Sequence, residues 1–395
     1  MPWNGLDGLV EAVLPAIARV LEGASAELEI DRLLRRHRVL DQEQRTAMVE
    51  AIFGVGLWRR RLWVHAGSTA PRALLFALLR DLSLVPEGHA AGLTGLPLPL
   101  PPRSPVPLRI AERWSYPDWI EAVFLRELGP DAEALASAMC LPGPICLRAN
   151  ASRIDRDSLA GLLEAEGVST RPGRLATFAL VVTSTRPNLL GLRAYRDGLF
   201  EVQDEASQLV AGLLQPRPGE TVLDFCAGAG GKTLALAAAM GGRGRLVAWD
   251  KDRARLRRLR ERAGRAGATV EIGQEVEADA VLVDAPCSEL GTLRRGPDLR
   301  FRLREEDALR FPALQRELLE TALRRVRPGG RLVYATCTLR REENEEVALG
   351  LERAHPELRR IPPDLPSELV RDGFLRTWPH LHDTDGFFAA AWHKL

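Results

Sequence analysis

The chain has 395 residues, 46% hydrophobic and 27% charged, with a formal net charge of +1. This length allows two or three domains, each with its own core. No apolar run approaches the roughly 18 residues that would indicate a membrane span, and residues 1–23 lack the basic segment of a secretory signal. We therefore expect a cytoplasmic protein that has neither a membrane partner nor an obligate protein partner.

The positive charge comes almost entirely from arginine, since lysine occurs only at Lys232, Lys251 and Lys394. The arginines cluster in residues 32–38, 58–61, 253–265 and 294–304. Guanidinium groups bind phosphates and stack on bases, so these clusters are compatible with a nucleic-acid partner. For any one cluster alone, a solvated helix face is the better explanation.

The chain contains five cysteines, with no pair at CxxC spacing and no histidines at metal-ligand intervals. This pattern predicts neither a disulfide framework nor a metal site. The cysteines are therefore either buried core residues or catalytic thiols.

The apolar spacing predicts an all-helical domain over residues 1–91, in which Asp41 caps a helix. The proline-rich residues 92–108 predict a linker. Residues 109–203 mix helices with short strands such as ICLRAN and FALVVT, which indicates a small α+β domain. From residue 204 to 395 apolar strands alternate with helices, which predicts an α/β, Rossmann-like domain with a parallel, doubly wound sheet.

A glycine-rich turn, CAGAGGKT, follows the first strand of this last domain, TVLDF. The P-loop spacing fails because Cys226 stands where a glycine is needed, and GxGxxG fails at Thr233. Asp224 followed by small residues at alternate positions resembles the loop of S-adenosylmethionine methyltransferases. Asp250 ends the second strand, 26 residues further on, where a carboxylate can bind a ribose diol. The alternative is that Asp250 caps the following helix.

Two cysteines and a carboxylate follow two later strands. Asp284 and Cys287 come at the end of AVLVDAPCS, and Cys337 follows RLVYAT. The carboxyl ends of parallel strands line the ligand crevice of an open sheet, so these side chains should converge there. A thiolate that adds to C6 of cytosine makes C5 nucleophilic toward a methyl donor, which is covalent catalysis. An acid such as Asp284 near N3, and a second thiol that helps to remove H5, would complete that chemistry.

The motifs DAPCS, YATCT, CAGAGGKT, FEVQDEASQLVA, RRGPD, ENEE and DGFFAAAW together resemble the RsmB/Sun family of RNA (cytosine-5) methyltransferases. The resemblance begins near Tyr116 and implies S-adenosylmethionine as cofactor. It gives Cys337 the role of nucleophile, Cys287 that of aiding product release and Asp284 that of catalytic carboxylate. Besides Asp250 and Asp284, it implies cofactor contacts from the glycine loop: Cys226, Ala227, Gly228, Ala229, Gly230, Gly231 and Lys232.

The resemblance also implies that Arg294, Arg295 and Asp298 contact RNA, although Asp298 could instead pair with a neighbouring arginine and shape the loop. The acid that the family carries after its third strand is absent, and Gln274 stands there as the predicted adenine contact, since Asp279 lies too close to the next strand. The family's CAAPGGKT loop is also altered here, at Gly228 and Ala229.

The N-terminal helices resemble a shortened NusB-like RNA-binding module, and residues 109–203 resemble the small RNA-binding domain of the family. The expected function is formation of 5-methylcytosine in RNA, with small-subunit (16S) ribosomal RNA as the first candidate and transfer RNA as the alternative. A non-catalytic RNA-binding protein of ribosome assembly, and a small-molecule or protein methyltransferase, are the rival interpretations.

Overall fold

The computed structural model describes residues 3–96, 105–185, 187–296 and 298–395. Contacts divide the chain into two compact units, Met1–Leu141 with Leu293–Glu305 and Pro142–Thr292 with Glu306–Leu395. These bounds differ from the predicted limits at residues 91, 108 and 203, and the three-domain division stays a prediction. Half of the predicted linker, residues 97–104, lies outside the described residues. No helix in the described ranges is long and apolar enough to cross a membrane.

The α-helices of the described residues are α1 Val10–Leu21, α2 Ala26–Arg36, α3 Gln42–Ala66, α4 Pro71–Ala77, α5 Glu87–Thr94, α6 Ile110–Arg113, α7 Asp118–Leu128, α8 Ala132–Ala138, α9 Arg156–Ala165, α10 Arg193–Arg196, α11 Glu205–Leu213, α12 Gly231–Met240, α13 Arg253–Ala266, α14 Leu299–Arg302, α15 Glu305–Ala308, α16 Phe311–Leu323, α17 Glu345–Ala354 and α18 Pro379–His382. The strands are β1 Cys146–Ala149, β2 Thr170–Pro172, β3 Ala179–Val182, β4 Phe200–Val202, β5 Thr221–Asp224, β6 Arg245–Ala248, β7 Glu271–Ile272, β8 Ala278–Asp284, β9 Val326–Thr336, β10 Leu358–Arg360, β11 Val370–Arg371, β12 Phe374–Arg376 and β13 Phe388–Lys394.

The unit that contains the N-terminus is helical. Its longest helix, α3, begins with a capping box in which the Asp41 side chain accepts from the Gln44 N–H at 2.8 Å, and ends at Gly67 in the left-handed conformation. The segment Leu293–Glu305 belongs to the same unit. Within it the buried Arg300 donates to the Trp114 and Met139 carbonyl oxygens and lies 4.1 Å from the centre of the Tyr116 ring.

The other unit begins with a small antiparallel sheet whose strand order is β2-β3-β1-β4. Leu147 and Ala149 of β1, Leu180 of β3 and Phe200 of β4 pack with Leu159 of α9 in its core. This arrangement fits the mixed pattern of short strands and helices in the sequence.

A larger sheet follows in the order β11-β12-β13-β9-β8-β5-β6-β7, with β10 paired to β13. The strands β7, β6, β5, β8 and β9 are parallel, whereas β10 to β13 pair antiparallel. Strand β8 is buried along Ala278–Val283, as expected for a central strand covered on both faces. The chain reverses its order between β5 and β8, which is the switch point where open α/β sheets bind ligands. The predicted fold class is confirmed.

Candidate active site

A cavity of about 420 Å³ lies where β5, β6, β8 and β9 end. It is lined by most of the residues predicted to bind cofactor or to act on substrate, namely Cys226, Ala227, Gly228, Ala229, Gly231, Lys232, Asp250, Asp284, Cys287 and Cys337. Two predicted residues are not in its lining. Gly230 belongs to the glycine loop without lining the cavity, and Gln274 lies past the end of β7.

The glycine loop depends on two left-handed residues, Gly228 with a φ of +54° and Gly230 with a φ of +89°. Gly230 precedes the first residue of α12, and a Cβ atom there would lie only 2.8 Å from Cγ of Leu259. Glycine is therefore required at 230 both by conformation and by space. The loop brings the N-terminus of α12 to the cavity, where N–H groups favour a polar or anionic ligand group.

Asp250 holds the glycine loop in place. One of its carboxylate oxygens accepts from the Gly228 N–H at 2.9 Å and the other from the Asp252 N–H at 2.7 Å. The cap of α13 is Asp252, which accepts from the Ala254 N–H at 2.8 Å. The alternative in which Asp250 caps the helix is therefore wrong. The carboxylate lines the cavity, and its remaining lone pairs can accept from a diol.

Asp224 presents an unsatisfied acceptor beside the cavity. Its Oδ2 accepts from the Thr233 hydroxyl at 2.6 Å, while Oδ1 is buried without a hydrogen-bond partner. Burial raises the pKa of Asp224 to about 7. A buried carboxylate oxygen of this kind calls for a donor from a ligand. Together with Asp250, it fits a ligand that carries an ammonium group and a ribose diol, as S-adenosylmethionine does.

Lys232, the second residue of α12, forms an ion pair with Asp284 at the end of β8. Nζ of Lys232 donates to Oδ2 of Asp284 at 2.7 Å and lies 4.8 Å from the centre of the Phe387 ring. The lysine is almost fully buried, whereas the Asp284 side chain is 31% exposed. The carboxylate of the pair is therefore the more accessible partner for a molecule in the cavity.

The sulfur atoms of Cys287 and Cys337 are 3.5 Å apart. Cys287 is buried and Cys337 is half-buried. The contact with Cys337 and burial hold the pKa of Cys287 well above its ordinary value. Since the thiolate is the nucleophilic form of cysteine, the two sulfur atoms are not chemically equivalent.

The predicted RNA contacts Arg294, Arg295 and Asp298 lie in the unit that contains the N-terminal helices. Arg294 is buried, Arg295 is exposed, and Asp298 forms an ion pair with Arg302 one turn along α14. The pairing of Asp298 with a neighbouring arginine matches the structural alternative stated for this residue. RNA contact by the three residues stays a prediction.

Sequence reasoning missed a buried support of the glycine loop. Glu201 of β4 forms ion pairs with both Arg262 and Arg265 of α13, and Arg262 also donates to the Ala229 carbonyl oxygen at 2.8 Å. Part of the arginine run 253–265 is thus structural. The pairing joins residues more than 60 positions apart, so the run alone carries no signal for it.

Comparison with known proteins places this site in a family. A profile described as 16S rRNA methyltransferase RsmB/F matches residues 211–393, and one for the ferredoxin-like domain of RsmF/B-like methyltransferases matches residues 116–187. A Bacillus subtilis protein named "Probable ribosomal RNA small subunit methyltransferase B" is 34% identical, over 72% of this chain and 68% of its own. The chain belongs to the RsmB/F methyltransferase family.

Two further similarities extend over more of the chain. The ribosomal RNA small subunit methyltransferase B of Xylella fastidiosa (strain 9a5c) is 33% identical over 85% of this chain and 83% of its own. The crystal structure of PH0851 superimposes with a TM-score of 0.80 at 26% identity, covering 100% of this chain and 99% of that one. The predicted family is confirmed, and S-adenosylmethionine is the cofactor of RsmB/F methyltransferases, as predicted.

Proposed function

We propose that this RsmB/F methyltransferase forms 5-methylcytosine in RNA, with small-subunit ribosomal RNA as the substrate and a covalent bond between Cys337 and C6 of the base as the intermediate. The observation that carries the proposal is the pair of thiols 3.5 Å apart in the cavity of the glycine loop. The names of the bacterial relatives support ribosomal RNA.

The chemistry needs one thiolate and one neutral thiol. The Cys337 thiolate would form a bond to C6, and the electrons of the C5–C6 double bond would become available at C5. When bound, the cofactor would supply an electrophilic methyl group. C5 would bond to this methyl carbon as the bond between the methyl group and the cofactor's sulfur breaks, and that sulfur would keep the electron pair. A base then takes H5 as a proton, the C5–C6 double bond forms again, and the C6–sulfur bond breaks to return the electron pair to Cys337.

The unequal surroundings of the two thiols favour this assignment. Cys337 is the more exposed sulfur, and Cys287 is kept protonated by burial and by its contact with Cys337. A protonated Cys287 can donate its S–H to the neighbouring sulfur and so stabilise a Cys337 thiolate. After methylation the same group is placed to assist release of the product.

The ion pair of Lys232 and Asp284 supplies a proton and an acceptor beside the ring. Addition of sulfur to C6 develops negative charge toward N3, and a proton shared between Nζ and Oδ2 would stabilise that charge. The half-buried Asp284 carboxylate can also accept from the cytosine amino group, which uracil lacks. The target base must leave its stack to reach the cavity, as bases modified by enzymes generally do.

The test is a denaturing gel of the full chain incubated with S-adenosylmethionine and three RNA preparations: 16S ribosomal RNA, small ribosomal subunits and transfer RNA. Cys287→Ala should accumulate a protein–RNA adduct because release is impaired, and Cys337→Ala should form none. Cys146→Ala is the control, since it removes a buried thiol of β1 that does not line the cavity. It should methylate RNA without accumulating adduct.

The outcomes separate the alternatives. An adduct in Cys337→Ala and none in Cys287→Ala would reverse the roles of the thiols. An adduct with transfer RNA alone would change the substrate. RNA binding without methyl transfer by the wild type would favour a non-catalytic role in ribosome assembly.

A further inference from the structure

Glu343 is a buried carboxylate that the proposed reaction does not use. It lies between β9 and α17, is 0% exposed and is not in the lining of the cavity. Its oxygens accept from the Ser288 N–H at 2.9 Å, the Ser288 hydroxyl at 2.6 Å and the Gln315 amide at 3.0 Å. Arg340 also donates to it, at 3.3 Å. A buried carboxylate retained with this many donors indicates a specific task, because its burial is unfavourable.

The donors to Glu343 adjoin Cys287 on both sides. Ser288 follows the cysteine in sequence, and the Gln315 amide that reaches Glu343 also donates to the carbonyl oxygen of Pro286, at 2.9 Å. The carboxylate therefore fixes the peptide units before and after Cys287. Removal of the carboxylate would leave the Ser288 N–H without its acceptor and the Gln315 amide with the Pro286 carbonyl oxygen alone.

The same network continues to Cys337. The hydroxyls of Ser288 and Thr338 are 2.6 Å apart, and Thr338 directly follows Cys337. Because the single Ser288 hydroxyl proton points to Glu343, Thr338 is the donor in this bond. Asn344, which follows Glu343 in the sequence, accepts from the Thr336 hydroxyl and donates to the Thr338 carbonyl oxygen at 3.0 Å. The two cysteine loops are thus joined through one buried pair, Glu343 and Asn344.

We propose that Glu343 is a positioning residue that sets the distance between the Cys287 and Cys337 sulfur atoms. It forms no hydrogen bond with either sulfur and acts on their spacing through Ser288 and Thr338. Its charge also contributes to the raised pKa of Cys287. The inference rests on the proposed thiol chemistry for its meaning in catalysis. The spacing of the thiols, however, can be measured without any RNA.

The experiment compares Glu343→Ala and Glu343→Gln with the wild type in the full chain. The first readout is the rate at which diamide, a thiol oxidant, links Cys287 to Cys337, followed by mass spectrometry of the peptides. The second is kcat and KM for methyl transfer to RNA. Glu343→Ala should slow the cross-link and lower kcat by about 10- to 100-fold, since a misplacement of roughly 1 Å has effects of that order. The KM for S-adenosylmethionine should not change.

Glu352→Ala is the matched control. Glu352 lies in α17 and accepts from Arg360 at 2.6 Å and from the Trp392 indole at 2.7 Å, away from the cysteine loops. The Glu352→Ala variant should be less stable than the wild type but should keep the wild-type cross-linking rate and kcat. Glu343→Gln can keep an acceptor for the Ser288 hydroxyl and Arg340 but turns an amide toward the Ser288 N–H and the Gln315 amide. It should therefore fall between the wild type and Glu343→Ala.

A folded Glu343→Ala that cross-links and methylates at wild-type rates would overturn the proposal. If that variant does not fold, Glu343→Gln decides by the same two readouts, and wild-type values again overturn it. A wild type that methylates no cytosine would refute the proposed function. The cross-linking rates would still decide whether Glu343 sets the thiol spacing.

Discussion

Asp224 makes the stability of the protein depend on pH in a way that one substitution removes. The carboxyl is fully buried at the end of β5, and burial raises its pKa to about 7 in the folded protein. An aspartate in an unfolded chain has a pKa of about 3.9. We predict that Asp224→Asn becomes more stable relative to the wild type as the pH rises.

The sign and size follow from the two pKa values. Below about pH 4 the carboxyl is protonated in both states and has no effect. Between about pH 4 and 7 the folded state holds a proton that the unfolded state has lost, so stability falls by about 1.4 kcal/mol for each pH unit. Above pH 7 the full cost of about 4 kcal/mol is reached. Between pH 5 and pH 8 the wild type should therefore lose about 3 kcal/mol relative to the asparagine variant.

The assay is urea unfolding of both proteins without cofactor, followed by circular dichroism at pH 5, 6, 7 and 8. Other titrating groups are common to both proteins and cancel in the difference. The asparagine can still accept from the Thr233 hydroxyl. A change in the strength of that bond would therefore alter the free energy of unfolding by a similar amount at each pH. Parallel stability curves across this range would refute the interpretation of Asp224 as a carboxylate ionised at a cost.

Two further changes test the loops around the cavity. Lys232→Met removes the proton donor to Asp284 and should lower kcat by about 100-fold in a methylation assay with RNA, since a group that moves a proton typically contributes an effect of that size. Lys232→Arg should recover part of the activity. An unchanged kcat in Lys232→Met would contradict the role of the ion pair. Gly291→Ala places a Cβ atom 1.9 Å from the Gly386 carbonyl oxygen and should destabilise the protein by about 2 kcal/mol or more in thermal unfolding. Gly161→Ala in α9 meets no atom within 4 Å and should instead stabilise by about 0.5–1 kcal/mol, so equal effects of the two alanines would contradict the packing argument.

Much of the cavity lining could be predicted from the sequence because each strand that ends at the cavity is identified by its own local pattern of apolar residues. Apolar runs such as TVLDF and AVLVDA identified β5 and β8, and the carboxyl ends of parallel strands must meet at one edge. Residues at or just past the ends of parallel strands could therefore be assigned to one cavity before their distances were known. Asp250 after β6, Asp284 at the end of β8 and Cys337 after β9 are in this class, and all three line the cavity.

Interactions between distant segments carried no such signal. Glu343 meets Ser288 across 55 residues and Gln315 across 28, and neither separation leaves a periodic pattern in the chain. Gln274 is a different case, and its contact with adenine stays a prediction. It occupies the right place along the sequence for an adenine contact, but β7 has only two residues, and Gln274 lies outside the cavity lining.

The difference between the two thiols also arises from tertiary structure. Both cysteines follow a parallel strand, so their positions alone do not distinguish them, and only the family resemblance gave them different roles. Strand β9 runs directly into Cys337, whereas β8 ends three residues before Cys287, and the chain then turns through Glu289 with a φ of +57°. That turn directs the Gly291 N–H to the Cys337 carbonyl oxygen at 2.9 Å, and Ser288 binds Glu343 beneath it. Cys287 is buried where the chain turns back, whereas Cys337 is half-buried, and this difference supports the roles proposed for the two thiols.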